Sequence, residues 1–341
     1  MKRYYHPWLA RIRNLLKAAQ GRPVALVVLF GLSLLNLSSE LPSDIPRTAF
    51  VESLDNAVPD TFKTARQLLF DQYQRRFPRV PTAQPVTIVE IDEQTLASVG
   101  QWPWPRNRLA SLVDAIAALK PLAIGLDIYM PEPDQTSPDK VAANLPPSAA
   151  ALAAGLRALP SHEAILARSL RAAPTILGAA ALDYPAVTAS TDMRSAPILV
   201  HGTDPLSHVR RFDYVLASLP ELQAAAHGQA MLSVALEQGV VRHIPLIMGL
   251  GDKLVPGLPM EMLRLATGSP AIDVYANGSG VQAVGVADVL VPTQPGGDIW
   301  LHFASIRSTL SRYVSARDVL QGTVDPERIR DKLVLVGLTG T

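Results

Sequence analysis

Residues 85–134 (PVTIVEIDEQTLASVGQWPWPRNRLASLVDAIAALKPLAIGLDIYMPEPD) constrain the fold more than any other stretch of the chain. Val86 to Ile91 is rich in β-branched residues, has Pro85 at its edge and reads as a strand. Arg106 to Leu119 sets Leu109, Leu112, Val113, Ile116 and Leu119 along one helical face, with Pro105 at a first-turn position. Ala123 to Met130 is a second apolar strand. Strand, helix and strand this close together form a βαβ unit, which is nearly always parallel and right-handed. Thr175 to Leu182 (TILGAAAL) and Leu333 to Gly337 (LVLVG) are almost wholly apolar, as strands covered on both faces are. The expected class is therefore α/β, a mostly parallel sheet covered by helices.

The rest of the chain is mixed. Residues 131–160 are rich in Pro, Ala, Asp and Ser and read as a surface excursion, followed by a short helix at 162–171. Val241 to Gly249 reads as a strand turning at Gly251-Asp252, and Pro259 to Thr267 as a helix. Val281 to Val291 and Asp298 to Ala304 suggest an antiparallel hairpin around Pro295-Gly296-Gly297. A helix at Ser315 to Leu320 precedes the last strand, and no internal repeat is visible.

The net charge of +1 hides a division. Residues 1–22 carry Lys2, Arg3, Arg11, Arg13, Lys17 and Arg22 and no acid, which leaves the remainder at −5. An acidic body argues against nucleic acid as a partner. Charged residues amount to only 18%, below the roughly 25% of an ordinary soluble domain. That shortfall points to a membrane or to a large buried sheet. Val24 to Leu37 (VALVVLFGLSLLNL) is uncharged and directly follows the basic run. It is somewhat short of the about 20 residues of a full span, a deficit that Arg22 can cover by snorkelling. A cleaved signal peptide and a buried core helix are the alternatives. The end lacks a small-x-small cleavage pattern, and Tyr4, Tyr5 and Trp8 suit a membrane interface, so an uncleaved transmembrane anchor is expected. The organisation then reads as a cytoplasmic tail (1–22), an anchor (23–39), a Pro-containing linker (40–60) and an exported body (61–341). A helix starting at Thr61 and ending before Pro78 opens that body.

Chemistry is sparse. Cysteine is absent, which removes disulfides, thiolate zinc sites and thiol nucleophiles. The seven His show no metal-binding spacing, and no G-x-S-x-G elbow or P-loop is present, so no catalytic residue, metal site or cofactor is assigned. Asp92 and Asp127 fall at the carboxyl ends of predicted parallel strands, the edge where open α/β sheets bind ligands, with Glu93, Glu132 and Asp134 nearby. They suit a divalent cation or a basic ligand. Equally, Asp92 can cap the following turn, and Asp127 can pair with Arg106 or Arg108. Trp102-Pro103-Trp104-Pro105-Arg106 fixes an extended path, presents two indoles and delivers Arg106 to a helix start. The indoles form either a stacking platform for a small ligand or the closure of the sheet end. The candidate ligand-binding residues are Asp92, Trp102, Trp104, Arg106 and Asp127.

IVEIDEQTLASVGQWPWPR at 88–106, followed by a helix and GLDIYMPEPDQTSP at 125–138, resembles the extracellular CHASE sensor domain of type 2. So do LFDQYQRRFPR at 69–79, LPSHEAILARSL at 159–170, IPLIMGLGDKLVPGLPMEMLRLATG at 244–268, VPTQPGGDIWLHF at 291–303 and ARDVLQGTVDPERIRDKLVLVG at 316–337. The resemblance implies a bacterial receptor in the inner membrane with this body outside the cytoplasm. It also implies three further membrane helices and a cytoplasmic output domain, commonly an adenylate or guanylate cyclase and otherwise a kinase or diguanylate cyclase. The output is expected to lie outside this sequence, since the family's Gly-Asp loop, Pro-rich segment and membrane helices are not in it. A homodimer follows by resemblance alone, and the family supplies no settled small-molecule or environmental signal. The rival is a secreted metal-dependent hydrolase using Asp92 and Asp127.

Overall fold

The computed structural model describes residues 59–340. The expected tail, anchor and nearly all of the linker lie outside that range. Among the described residues, no helix is long and apolar enough to cross a membrane. The chain divides into two units, Met1–Arg76 and Phe77–Thr341. In the first, α1 (Pro59–Arg76) runs for 18 residues and ends with Arg75 and Arg76, where the helix dipole favours cations.

The second unit is built on a seven-stranded sheet of β1 (Val86–Ile91), β2 (Ala123–Leu126), β3 (Thr175–Leu182), β6 (Tyr214–Leu216), β7 (Gly228–Met231), β17 (Tyr313–Ser315) and β18 (Leu333–Leu338). Its order is β17-β1-β18-β2-β3, with β7 also on β3. All these pairings are parallel except that of β6 with the end of β3. The last strand is thus central: β18 pairs with β1 from Val86↔Leu333 to Ile91↔Leu338 and with β2 from Leu333↔Ala123 to Val336↔Leu126. The expected mostly parallel α/β sheet is present.

Alternation along the strands supplies two apolar faces. Val89, Ile91, Ile124, Leu126, Val334 and Val336 pack with Leu109, Leu112, Val113 and Ile116 of α3 (Arg106–Ala118) and with Leu166 and Leu170 of α6 (His162–Ala172). On the other side Ala123 and Ile176 meet Met262 and Leu258 of α8 (Leu258–Thr267). Gly125 permits that approach, since a Cβ there would lie 3.0 Å from the Met262 sulfur. Short helices α2 (Glu93–Val99), α7 (Pro220–Ala225), α9 (Ile306–Thr309) and α10 (Ala316–Leu320) complete the connections.

Three expectations need correction. The strand expected over 123–130 stops at Leu126, although Ile128 and Met130 stay buried between exposed Asp127 and Tyr129. The apolar alternation outlasts the ladder. Residues 131–160 are not a plain excursion, because they hold α4 (Pro138–Ala143) and α5 (Ala150–Arg157). The Ala-rich run at 148–158 has the propensity for helix, and Pro138 sits in a first turn where it removes no needed donor.

The third concerns the antiparallel part. Here β4 (Ile198–Gly202), β13 (Ile272–Asn277), β14 (Gly280–Val286) and β15 (Val289–Pro292) form one sheet, ordered β15-β14-β13-β4. The hairpin turns at Ala287-Asp288 rather than at Pro295-Gly296-Gly297, and Ala287 takes the left-handed φ of 49° that the turn demands. The strand expected at 241–249 is broken into β9 (Val240–Val241), β10 (His243–Pro245) and β11 (Ile247–Leu250) because its segments change partners. β9 pairs with β8 (Leu236–Glu237), β10 with β16 (Asp298–Trp300), and β11 with β12 (Lys253–Pro256) and β5 (Arg211–Phe212). The turn at Gly251-Asp252 stands as expected, closing Leu250 onto Lys253.

Candidate functional site

At the carboxyl edge of the sheet, the chain leaving β1 forms α2, crosses the WPWPR loop and enters α3. Asp92 caps α2. Its Oδ1 accepts from the Thr95 amide at 2.7 Å, the Thr95 hydroxyl at 2.5 Å and the Ser315 hydroxyl at 3.1 Å. Burial pushes this carboxyl up, but the hydrogen bonds from Thr95 and Ser315 outweigh it and hold the pKa below its ordinary value.

Asp127 stands two strands away, at the end of β2, with Gly337 of β18 beside it. Its amide donates to the Val336 carbonyl, and its carboxyl has no hydrogen-bond partner among the described residues. Desolvation raises its pKa, and both desolvation and the Asp127 charge raise that of Tyr129. Two strand spacings, about 10 Å, separate the Asp92 and Asp127 backbones. No group of three or more His, Cys, Asp or Glu among the described residues could hold a metal ion. The geometry therefore lends the hydrolase alternative no support.

The tryptophans divide. Trp104 is only 2% exposed, and its indole N–H donates to the Gly100 carbonyl at 2.7 Å. It is core, not a platform. Trp102 is half-buried against the same core, its ring centre 6.1 Å from that of Trp104. The peptide bond between Trp102 and Pro103 is cis.

Arg106 joins neither Asp127 nor Asp92. Residues 127–134 carry the chain from β2 to the start of α3, so Asp134 is the carboxylate that arrives there. Its Oδ2 accepts from the Arg106 amide at 2.7 Å and from His162 Nδ1 at 2.9 Å. Its Oδ1 accepts from the Thr136 amide and hydroxyl at 2.8 and 2.6 Å. Burial alone would raise this carboxyl; the bonds from Thr136, Arg106 and His162 overcome it and set its pKa to about 2. Behind it, Glu163 Oε1 accepts the Asp134 amide at 2.5 Å, and the buried Ser137 hydroxyl accepts the His162 amide at 3.0 Å. The Arg106 guanidinium is partly desolvated, which lowers its pKa against the opposing pull of Asp134 and Glu163.

These contacts form one wall of a cleft of about 590 Å³. Ser98 and Val99 of α2, Pro105 just before α3, Asn107, Arg108 and Ser111 of α3, Thr136, His162 of α6 and Leu320 of α10 line it. Its size falls within the range of small-molecule sites. None of the five candidate residues lines the cleft; Arg106 adjoins it through the bond of its amide to Asp134.

Residues 48–341 match the family of the CHASE2 domain, most of the chain's length. The chain belongs to the CHASE2 domain family. CHASE2 domains are extracellular sensory domains, with a role in sensing rather than catalysis. Neither the comparison with curated proteins nor that with solved structures gives a match. In this CHASE2 domain the cleft is an open one, with Arg108 and His162 among its lining residues. The sequence does not single out His162, because HEAILARSLR reads as an ordinary amphipathic helix start. The one hint is Ser161 before it, a helix cap whose hydroxyl accepts the Ala164 amide at 3.1 Å.

Proposed function

We propose that this CHASE2 domain is the extracytoplasmic sensor of a membrane receptor, anchored through residues 23–39, and that it regulates a cytoplasmic output of the adenylate or guanylate cyclase type. The observation that carries the reading is the family match over 48–341, directly behind six cations and an uncharged apolar run. The basic residues favour the cytoplasmic side for the tail, which sends the body across the inner membrane. A signal that binds one of two arrangements of the domain more tightly shifts an existing equilibrium between them. Two such domains acting as a homodimer would pass that shift to paired output domains.

Topology tests the reading. Alkaline phosphatase, active only outside the cytoplasm, joined after Thr341 should be active in intact bacteria. β-Galactosidase at the same place should be inactive. The opposite pattern from stably produced fusions would overturn an extracytoplasmic sensor.

A further inference from the structure

The polar groups of the cleft differ in what they have left to offer. Three hydroxyls lie along it, and each already donates its single hydrogen to the protein. Ser98 donates to the Gln94 carbonyl at 2.8 Å, Ser111 to the Asn107 carbonyl at 3.2 Å, and Thr136 to Asp134 Oδ1 at 2.6 Å. A hydroxyl has one hydrogen, so in this arrangement the three oxygens turn lone pairs to the cleft, and donating there would mean giving up a bond to the protein.

Arg108 is the opposite case. Its Nη1 donates to the Val99 carbonyl, which fixes the guanidinium at the wall. Its Nε and Nη2 have no partner among the described residues. His162 is fixed in the same manner: ionised Asp134 can only accept, so Nδ1 carries the hydrogen and Nε2 is the ring's remaining polar atom. Exposed Asn107 supplies both a donor and an acceptor. No carboxylate lines this cleft among the described residues, because Asp134 is shut behind it with four hydrogen bonds.

A permanent cation with free donors beside three accepting oxygens specifies a ligand with two kinds of group. A carboxylate suits Arg108, since charge-assisted bonds to guanidinium are the strong ones. Opposite the hydroxyl oxygens donors on the ligand fit, because each hydroxyl would have to give up its bond to the protein to serve a bare anion there. We infer that the cleft binds a small organic acid that also bears hydroxyl or amine donors. This deepens the sensor reading by naming its ligand class, and rests on that reading only for the purpose that binding serves.

The test uses the full chain in a mild detergent and three six-carbon probes followed by titration calorimetry. Gluconate has the carboxylate and the hydroxyls, hexanoate the carboxylate alone, and sorbitol the hydroxyls alone. Gluconate should bind at least about tenfold more tightly than either of the others. Arg108→Gln should abolish the difference. Because Arg108 also holds Val99, Asn107→Asp provides a second variant, adding a like charge at the rim while an acid in the first helical turn remains favourable for folding. It should weaken gluconate about tenfold, with an unchanged circular dichroism spectrum. Equal affinity for the three probes, no heat from gluconate at about 10 mM, or binding unchanged by Asn107→Asp would overturn the inference. Those failures would leave the topology result untouched, and a cytoplasmic location would sink the sensor reading whatever the calorimetry gave.

Discussion

Asp134 shows how one carboxylate can hold a loop to two helices. Its hydrogen bonds join the start of α3, the loop before α4 and the start of α6. With a folded-state pKa of about 2, below that of the unfolded chain, its contribution is complete above about pH 5. It is lost as the pH falls through about 2. Asp134→Asn is therefore expected to cost about 2 kcal/mol near neutral pH. Urea unfolding at a series of pH values should show the two proteins converging between about pH 5 and pH 2. A constant difference across that range would mean that ionisation is not what matters at this position. The residue was visible in the sequence only as a neighbour of Asp127. Its bond to His162 joins positions 28 apart in sequence, and no local pattern marks such a pair. Asp92, in contrast, was legible as a cap because its partner Thr95 lies three residues away.

Among the elements, those with a self-sufficient signal were read closely. β1 and β3 coincide with their β-branched or apolar runs, and α3 with its single buried stripe. Where two signals competed, the louder one misled. Pro295-Gly296-Gly297 is a stronger turn sequence than Ala287-Asp288, yet the β14–β15 hairpin uses the latter. Non-glycine residues reach left-handed φ at a cost of about 1 kcal/mol, and Ala287 bears it at φ 49°. Ala287→Gly should accordingly raise the thermal midpoint by a few degrees, offset in part by the greater freedom of glycine when unfolded. A lowered midpoint in a calorimetric scan would show that the alanine side chain matters more than its backbone. The α4–α5 pair was missed for a related reason: alanine propensity was masked by the prolines around it.

For the whole molecule, the order β17-β1-β18-β2-β3 means that neighbours in space are far apart in the chain. β1 and β2 both wait for a strand more than 200 residues later, and such non-local pairing slows folding. β18 also supplies Val334 and Val336 to one core face and Leu333 and Leu335 to the other. Removing residues 333–341 should therefore abolish the cooperative thermal transition seen by circular dichroism, rather than trim an edge. A shortened chain that still melts sharply would contradict that dependence. The sheet's class was legible from its apolar runs, but the central place of its last strand was not, because pairing order is a property of the assembled layers.

That central place has a mechanical consequence. β18 ends where the amides of Thr339 and Gly340 both donate to the Ile91 carbonyl. A pull on the chain at that point acts along the strand, so the ladders to β1 and β2 are loaded in shear, all at once, instead of being unzipped bond by bond as at a sheet edge. Tension applied there is therefore shared by both ladders of β18 at once.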